Sequence, residues 1–221
     1  MHIEMEIMSL IGDWLEGCGW VEIVNKSGIS TTGRVEHFLI GKVIKRTRYA
    51  HQVTLYCLGT LYESAKKKIG VTEQEFSKMV TDSPTAKFWY TVIELQHILF
   101  VFIHSIRTSD FDKFRICLKS ILPWTFALDK PIYCRFLSEF VHNIEVIDDA
   151  TRAEFENGYF TIQKTRRQFS ALATDQANEQ LNVIAKAISG PIGELFNTAE
   201  LAEWGITVPI LSKMRRRHLM Q

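Results

Sequence analysis

Residues 86–107, with the sequence AKFWYTVIELQHILFVFIHSIR, decide the fold of this 221-residue chain. This stretch is apolar on nearly every side, and a helix of that kind is usually the buried centre of its domain. Its longest apolar run, Ile98–Ile103, lies between His97 and His104 and is far shorter than the ~20 residues that cross a bilayer. We therefore expect a core helix and no contact with a membrane.

Helical patterns flank this segment on both sides. Apolar residues recur three and four positions apart, and the pair Thr72 and Glu75 has the spacing of a capping box. Pro123 is expected to end a helix that Ser109 caps. The pattern predicts a mainly α-helical, compact multi-helix domain. Helices are predicted over 2–16, 34–40, 47–68, 72–80, 86–107, 110–122, 132–147, 170–188 and 198–204, with a short one after Asp148 or Asp149.

One stretch has the composition of a β-strand. Residues 159–162 are aromatic or β-branched and follow Gly158. We expect at most a small β element near 158–164. The chain then divides into a helical region over 1–157, a strand with helices over 158–205 and a basic tail over 206–221.

Composition excludes several classes of protein. The chain carries 26 Lys+Arg and 25 Asp+Glu, and 46% of its residues are hydrophobic. These values are those of a soluble globular protein, not of a disordered, collagenous or polybasic chain. The N-terminus lacks the basic region of a signal peptide, and the four widely spaced cysteines indicate buried or half-buried thiols inside the cell.

Two Glu-x-x-His steps suggest a metal site. Glu94 with His97, and Glu139 with His142, each place both side chains on one helix face. Two such steps, with one glutamate from each of two further helices, form the di-iron site of ferritin-like bundles. A buried histidine near a carboxylate, or a surface pair, is the simpler explanation.

A second candidate metal site is the pair Asp175 and Glu179, four residues apart on the helix after the strand. Such a pair can hold a divalent cation, and Mg²⁺ prefers oxygen ligands of this kind. Taken alone, the pair is explained more simply by acids near the positive end of a helix dipole.

Three clusters of basic residues stand within the nearly neutral chain. Lysine and arginine beside aromatic rings are typical of nucleic-acid sites, because phosphates supply charge and bases supply stacking faces. The second cluster is interleaved with Tyr159, Phe160 and Phe169. A solvated charged face is the alternative interpretation. The clusters are Lys42, Lys45, Arg46 and Arg48; Lys164, Arg166 and Arg167; and Lys213, Arg215, Arg216 and Arg217.

Several short strings, in order along nearly the whole chain, resemble an uncharacterised family of long invertebrate proteins. That family is abundant in cnidarian and mollusc genomes and looks derived from mobile elements. The most specific string is RTRYAHQ over residues 46–52. The strings are 2–5, 12–17 with 19–20, 45–54, 122–124 with 126–129, and 175–177 with 179–180.

The resemblance implies a relation to DDE-type transposases, whose RNase H-like core is interrupted by a helical insertion. It implies that residues 34–157 are that insertion, that 158–164 is a returning strand, and that Glu179 is the final acid of an Mg²⁺ site with Asp175 beside it. Two-metal phosphoryl transfer needs acids from several elements. The resemblance therefore implies a fragment or decayed copy that is catalytically incompetent, unless a longer chain completes the site.

The chain also departs from the family pattern. Residues 130–136 replace a string like His-x-Asn-Tyr-Ala-Arg-Trp, and His97, Glu139 and His142 stand where the family has other residues. Three of the four di-iron candidates are therefore particular to this chain, which weakens that alternative.

We expect an intracellular protein, nuclear or cytoplasmic, that is derived from a transposable element and associates with nucleic acid, with DNA as the expected partner. The alternatives are the di-iron-like protein and a helical interaction module without a ligand. The expected nucleic-acid residues are Lys45, Arg46, Arg48, His51, Lys164, Arg166 and Arg167.

Overall fold

A computed structural model gives the fold of the chain. It describes residues 2–29, 36–41 and 43–187. The chain divides into two compact units, residues 1–171 and 172–221. The predicted helix at 198–204 and the basic tail at 206–221 lie outside the described residues. The prediction of a mainly helical chain with a small β element is confirmed.

The elements follow one another with short connections. Two strands form a small antiparallel sheet, and the division between the two units falls within the second of them. In chain order the elements are α1 (His2–Leu15), α2 (Trp20–Lys26), α3 (Glu36–Leu39), α4 (Ile44–Ile69), α5 (Glu73–Asp82), α6 (Pro84–Thr108), α7 (Phe111–Ala127), α8 (Pro131–Val146), α9 (Asp149–Glu156), β1 (Thr161–Gln163), β2 (Ala171–Ala173) and α10 (Thr174–Ala187).

Helix α6 lies at the centre of the first unit, where it packs against α1, α4, α5 and α7. Leu95, Leu99 and Phe102 are among its buried side chains. The Ser83 side chain caps its start by accepting a hydrogen bond from the backbone N–H of Ala86 at 3.4 Å. The stretch that is apolar on nearly every side is thus the core helix.

Length and composition alone would also allow α6 to cross a membrane. The core helix of a soluble protein passes the same test. Helix α6 packs on four neighbouring helices, and 33% of its apolar window is buried inside the protein.

Helices α1 and α3 approach so closely that one position must be glycine. Gly12 is buried on α1, and a Cβ atom placed there would overlap the carbonyl oxygen of Leu39. The Cβ is fixed by the backbone of α1 and the carbonyl belongs to the backbone of α3, so neither can rotate away as the end of a side chain can. The contact fixes the spacing of the two helices.

We expect Gly12→Ala to destabilise the protein by about 1–3 kcal/mol, because the two helices must separate to admit the methyl group. Urea denaturation followed by circular dichroism measures this change. Gly59→Ala is the matched control, since a Cβ at Gly59 on α4 has open space around it. That variant should gain ~0.5–1 kcal/mol from lower backbone entropy in the unfolded chain. A shift of both midpoints in the same direction would contradict the packing argument.

The prediction that Pro123 ends a helix is wrong, because α7 continues through it to Ala127. The proline ring is on the exposed side of the helix, where water can hydrate the carbonyl that loses its N–H partner. The last turn is held by the ring of Trp124, which packs edge-on against Trp14 with centroids 5.8 Å apart. Tertiary contact outweighs the local cost.

The predicted helix starts are confirmed at two places and corrected at a third. Thr72 and Glu75 form both hydrogen bonds of a capping box, and Asp148 caps α9 by accepting from the N–H of Thr151 at 2.9 Å. Asp110, not Ser109, caps α7. Ser109 instead ends α6 in the left-handed conformation, with φ of 57°.

The small sheet differs from the predicted strand in one respect. A strand was expected near 158–164, and β1 occupies part of that range. Residues 171–173 were expected to be helical but form β2, and the helix begins only at Thr174. The two strands enclose residues 164–170, which we call the basic loop.

Candidate nucleic-acid interface

The basic loop carries three cations on a short turn between β1 and β2. Lys164, Arg166 and Arg167 are all exposed, and residues 161–173 contain no acidic side chain. Residues 163–168 line a shallow depression of about 630 Å³. Three cations with no neighbouring acid in the loop can contact phosphate oxygens directly.

Hydrogen bonds hold this loop in shape. The Ser170 Oγ lies 2.8 Å from the carbonyl oxygen of Thr165 and 2.6 Å from that of Arg167, so it can donate its single proton to either. The backbone N–H of Arg167 donates to the Thr165 Oγ1 at 3.3 Å. These hydrogen bonds lie within the loop, while its three cationic side chains are exposed.

Aromatic residues both anchor the hairpin and stand exposed beside it. Phe160 packs among the rings of Phe111 and Phe114, with centroid distances of 5.4 and 5.1 Å. The adjacent Tyr159 is 72% exposed. One aromatic side chain therefore fixes the base of the hairpin in the core, and the next one is presented to solvent.

Phe169, at the far end of the loop, has an unusual backbone. Its φ is +64°, in the left-handed region that bulky residues rarely adopt. Its ring is 54% exposed and meets His104 edge-on at 5.7 Å. This conformation costs ~1–2 kcal/mol relative to an ordinary one, and the aromatic ring stands at the surface.

The structure places Arg48, a predicted nucleic-acid residue, in an ion pair with Glu4. Its Nη2 donates to the Glu4 Oε2 at 2.6 Å, and its Nε donates to the other carboxylate oxygen. Glu4 is only 6% exposed. A buried carboxylate needs such a partner, so the guanidinium of Arg48 joins α4 to α1. Lys45 and Arg46 are exposed on the first turn of α4, and Lys42 is outside the described residues.

His51 does not fit its predicted role as a nucleic-acid residue, because it is fully buried and no nucleic acid can reach it. Its ring stacks on Trp20 with centroids 5.1 Å apart. The Gln96 Nε2 lies 3.2 Å from its Nδ1, while its Nε2 finds no hydrogen-bond partner among the described residues. Burial lowers the pKa of His51 to about 3, so the ring stays neutral.

The two Glu-x-x-His steps lie on α6 and α8, and their side chains face solvent. Glu94, His97, Glu139 and His142 are all exposed. The Glu139 Oε1 accepts a hydrogen bond from the Asn143 side chain at 3.2 Å. Across the described parts of the chain, no group of three or more histidine, cysteine, aspartate and glutamate side chains could hold a metal.

Asp175 and Glu179 lie four residues apart on α10, as predicted. The Asp175 Oδ1 accepts from the backbone N–H of Gln176 at 2.7 Å, which is a contact of the first helical turn. Glu179 is exposed. The pair therefore shares one helix, and any divalent cation there would need ligands from further elements.

An apolar groove of about 970 Å³ was not predicted from the sequence. It runs along α4, and its other walls are α2, α5 and the start of α6. Its polar groups bond within the chain, as the Thr54 Oγ1 does when it accepts from the Trp20 Nε1 at 2.8 Å. Cys57, expected to be buried or half-buried, is exposed in this groove. Its large exposed side chains are Ile23, Leu61, Ile69 and Met79.

A family model described as Domain of unknown function (DUF8702) matches residues 60–220, which is more than half of the chain. No curated protein and no solved structure matches the chain. The matched residues include the basic loop, whereas Lys45 and Arg46 precede them.

Proposed function

Because the chain belongs to the family described as Domain of unknown function (DUF8702), which names no activity, we propose a function from the chain's own chemistry. In this proposal the chain is a mobile-element-derived protein that associates with nucleic acid through the basic loop. The observation that carries this proposal is the exposure of Lys164, Arg166 and Arg167 on a hairpin without acids.

The exposed aromatic residues add to this proposal. Tyr159 precedes β1 and Phe169 lies within the basic loop, and both present large exposed rings. Rings beside cations supply the two contacts that nucleic acids make, stacking with bases and pairing with phosphates. Lys45 and Arg46 form a separate exposed pair. We assign this pair a smaller contribution to binding, because the third cation of its cluster, Arg48, is paired with Glu4.

The chain acts in this proposal by binding and not by catalysis. Asp175 and Glu179 come from a single helix, and two-metal phosphoryl transfer needs acids from several elements. The relation to transposases stays a prediction from the resemblance of short strings.

Fluorescence polarisation with labelled DNA at 50 and 200 mM salt tests the proposal. We expect the triple variant Lys164→Ala/Arg166→Ala/Arg167→Ala to weaken binding, and to reduce the slope of log K against log salt concentration by about 2–3, because three phosphate contacts are lost. The variant Lys67→Ala/Lys68→Ala/Lys78→Ala is the matched control, since it removes three exposed cations from α4 and α5. Equal losses in the two variants, or binding by the natural chain that is absent or insensitive to salt, would refute the role of the loop.

A further inference from the structure

A second depression adjoins the basic loop on the side of α9. It has a volume of about 630 Å³ and is formed by the end of α6, the end of α9 and strand β1. Glu156, Asn157, Tyr159 and Gln163 are among its exposed polar and aromatic side chains. We call it the Tyr159 cleft.

The cleft differs from the basic loop in charge. Glu156 places a carboxylate in its wall, which repels a phosphate group but accepts hydrogen bonds from an amino group. The side-chain amide of Asn157 both donates and accepts. These groups match the edge of a nucleobase, and the ring of Tyr159 offers a face on which a base can stack.

One residue joins the two depressions. Gln163 lines both of them. Its Oε1 lies 3.0 Å from the Ser170 Oγ in the basic loop, and its Nε2 donates to the Ser109 Oγ in the cleft at 3.4 Å. A ligand that occupies both depressions would pass over this side chain, whose amide nitrogen donates to Ser109.

The floor of the cleft is rigid. The Thr161 Oγ1 lies 2.6 Å from the Ser109 Oγ, which ties β1 to the end of α6. The backbone N–H of Tyr159 donates to the carbonyl oxygen of Glu154 at 3.1 Å. The exposed ring of Tyr159 is therefore carried by a fixed backbone, which lowers the entropy that stacking would cost.

We propose that the Tyr159 cleft is a nucleobase subsite that takes one unpaired base of a single strand whose phosphates lie on the basic loop. This inference rests on the proposed function, which it deepens. A base inside a duplex is stacked on both faces and paired along its edge, so it cannot enter the cleft without leaving the helix. Single-stranded nucleic acid is accordingly the ligand class that fits both depressions together.

The test compares a labelled 12-nucleotide single-stranded DNA with its duplex, titrated with the full chain. We expect Tyr159→Ala to weaken single-strand binding roughly 5- to 100-fold, the range for loss of one base–aromatic stack. Duplex affinity should change less than about twofold, since the phosphate contacts remain. Tyr159→Phe keeps the ring and should restore single-strand affinity to within about twofold.

Tyr56→Ala is the matched control, because Tyr56 is 75% exposed on α4 away from the hairpin. It should leave both affinities unchanged. The salt slope of Tyr159→Ala should equal that of the natural chain, since stacking releases no counterions. Circular dichroism of each variant checks that the fold is retained.

Two outcomes would overturn the inference, and they differ. Equal loss of single-strand and duplex binding in Tyr159→Ala, or no loss in either, would refute the base subsite while salt-dependent binding through the basic loop still stood. Failure of the natural chain to bind either DNA with salt sensitivity would refute the proposed function and the subsite together.

Discussion

Arg48→Met should destabilise the protein by about 2–4 kcal/mol. The substitution leaves the Glu4 carboxylate, 6% exposed, without its cation, and breaking a buried pair from one side costs ~3–5 kcal/mol. The side chain of Arg48 is 22% exposed, so solvent screens part of the effect and places it below that full range. Urea denaturation at pH 7 gives the difference in unfolding free energy.

The double variant Glu4→Leu/Arg48→Met sharpens this test. With both charges gone, most of the lost stability should return, because neither ion is left buried alone. Lys45→Ala removes an exposed cation from the same helix and should change stability by less than about 0.5 kcal/mol. An Arg48→Met effect as small as that of Lys45→Ala would show that the pair contributes little.

His51 should make the protein lose stability as the pH falls below 6.5. Its pKa is lowered to about 3 in the folded state by burial, whereas the unfolded ring titrates near 6.5. The unfolded chain therefore binds a proton that the folded chain does not. Stability is fully present well above pH 6.5 and falls by ~1.4 kcal/mol per pH unit below it, for a total loss of ~2.7 kcal/mol at pH 4.5.

Urea titrations at half-unit pH steps would measure this slope. The pKa of Glu6 is raised by burial, which works in the opposite direction and offsets a part near pH 4.5. His51→Leu should flatten the pH dependence, whatever its stability at pH 7. His142→Gln, which removes an exposed histidine, should leave it unchanged. The same slope in the natural chain and in His51→Leu would contradict the role of His51.

The sequence was informative where a pattern lies within one segment. The apolar run of 86–107, the Thr72–Glu75 box and the Asp148 cap each depend on neighbours a few residues away, and all three appear in the structure. Pro123 and residues 171–173 are the opposite case, because there the local pattern gave the wrong prediction. Local preference argued for a break and for a helix, and contacts from elsewhere in the fold decided otherwise.

The candidate site depends on information that a linear pattern lacks. Arg48 and Lys164 are equally basic in the sequence, but only Arg48 has a buried glutamate 44 residues earlier as its partner. His51 belongs to the specific string at 46–52, and that string gave no sign that its ring lies beneath Trp20. Spacing identifies clusters of charge. Burial, which depends on the whole fold, determines which members are available to a ligand.

The position of α1 has a consequence for how the chain folds as it is made. This helix packs against α6 and α7, and the Lys130 Nζ lies 3.3 Å from its Ser9 Oγ and 2.6 Å from its Asp13 Oδ2. Ser9 and Lys130 are 121 residues apart. At ~5–20 residues per second, translation needs roughly 6–24 s to supply that distance. The contacts of Ser9 and Asp13 with Lys130 can therefore form only after that interval, so α1 completes its packing late in synthesis.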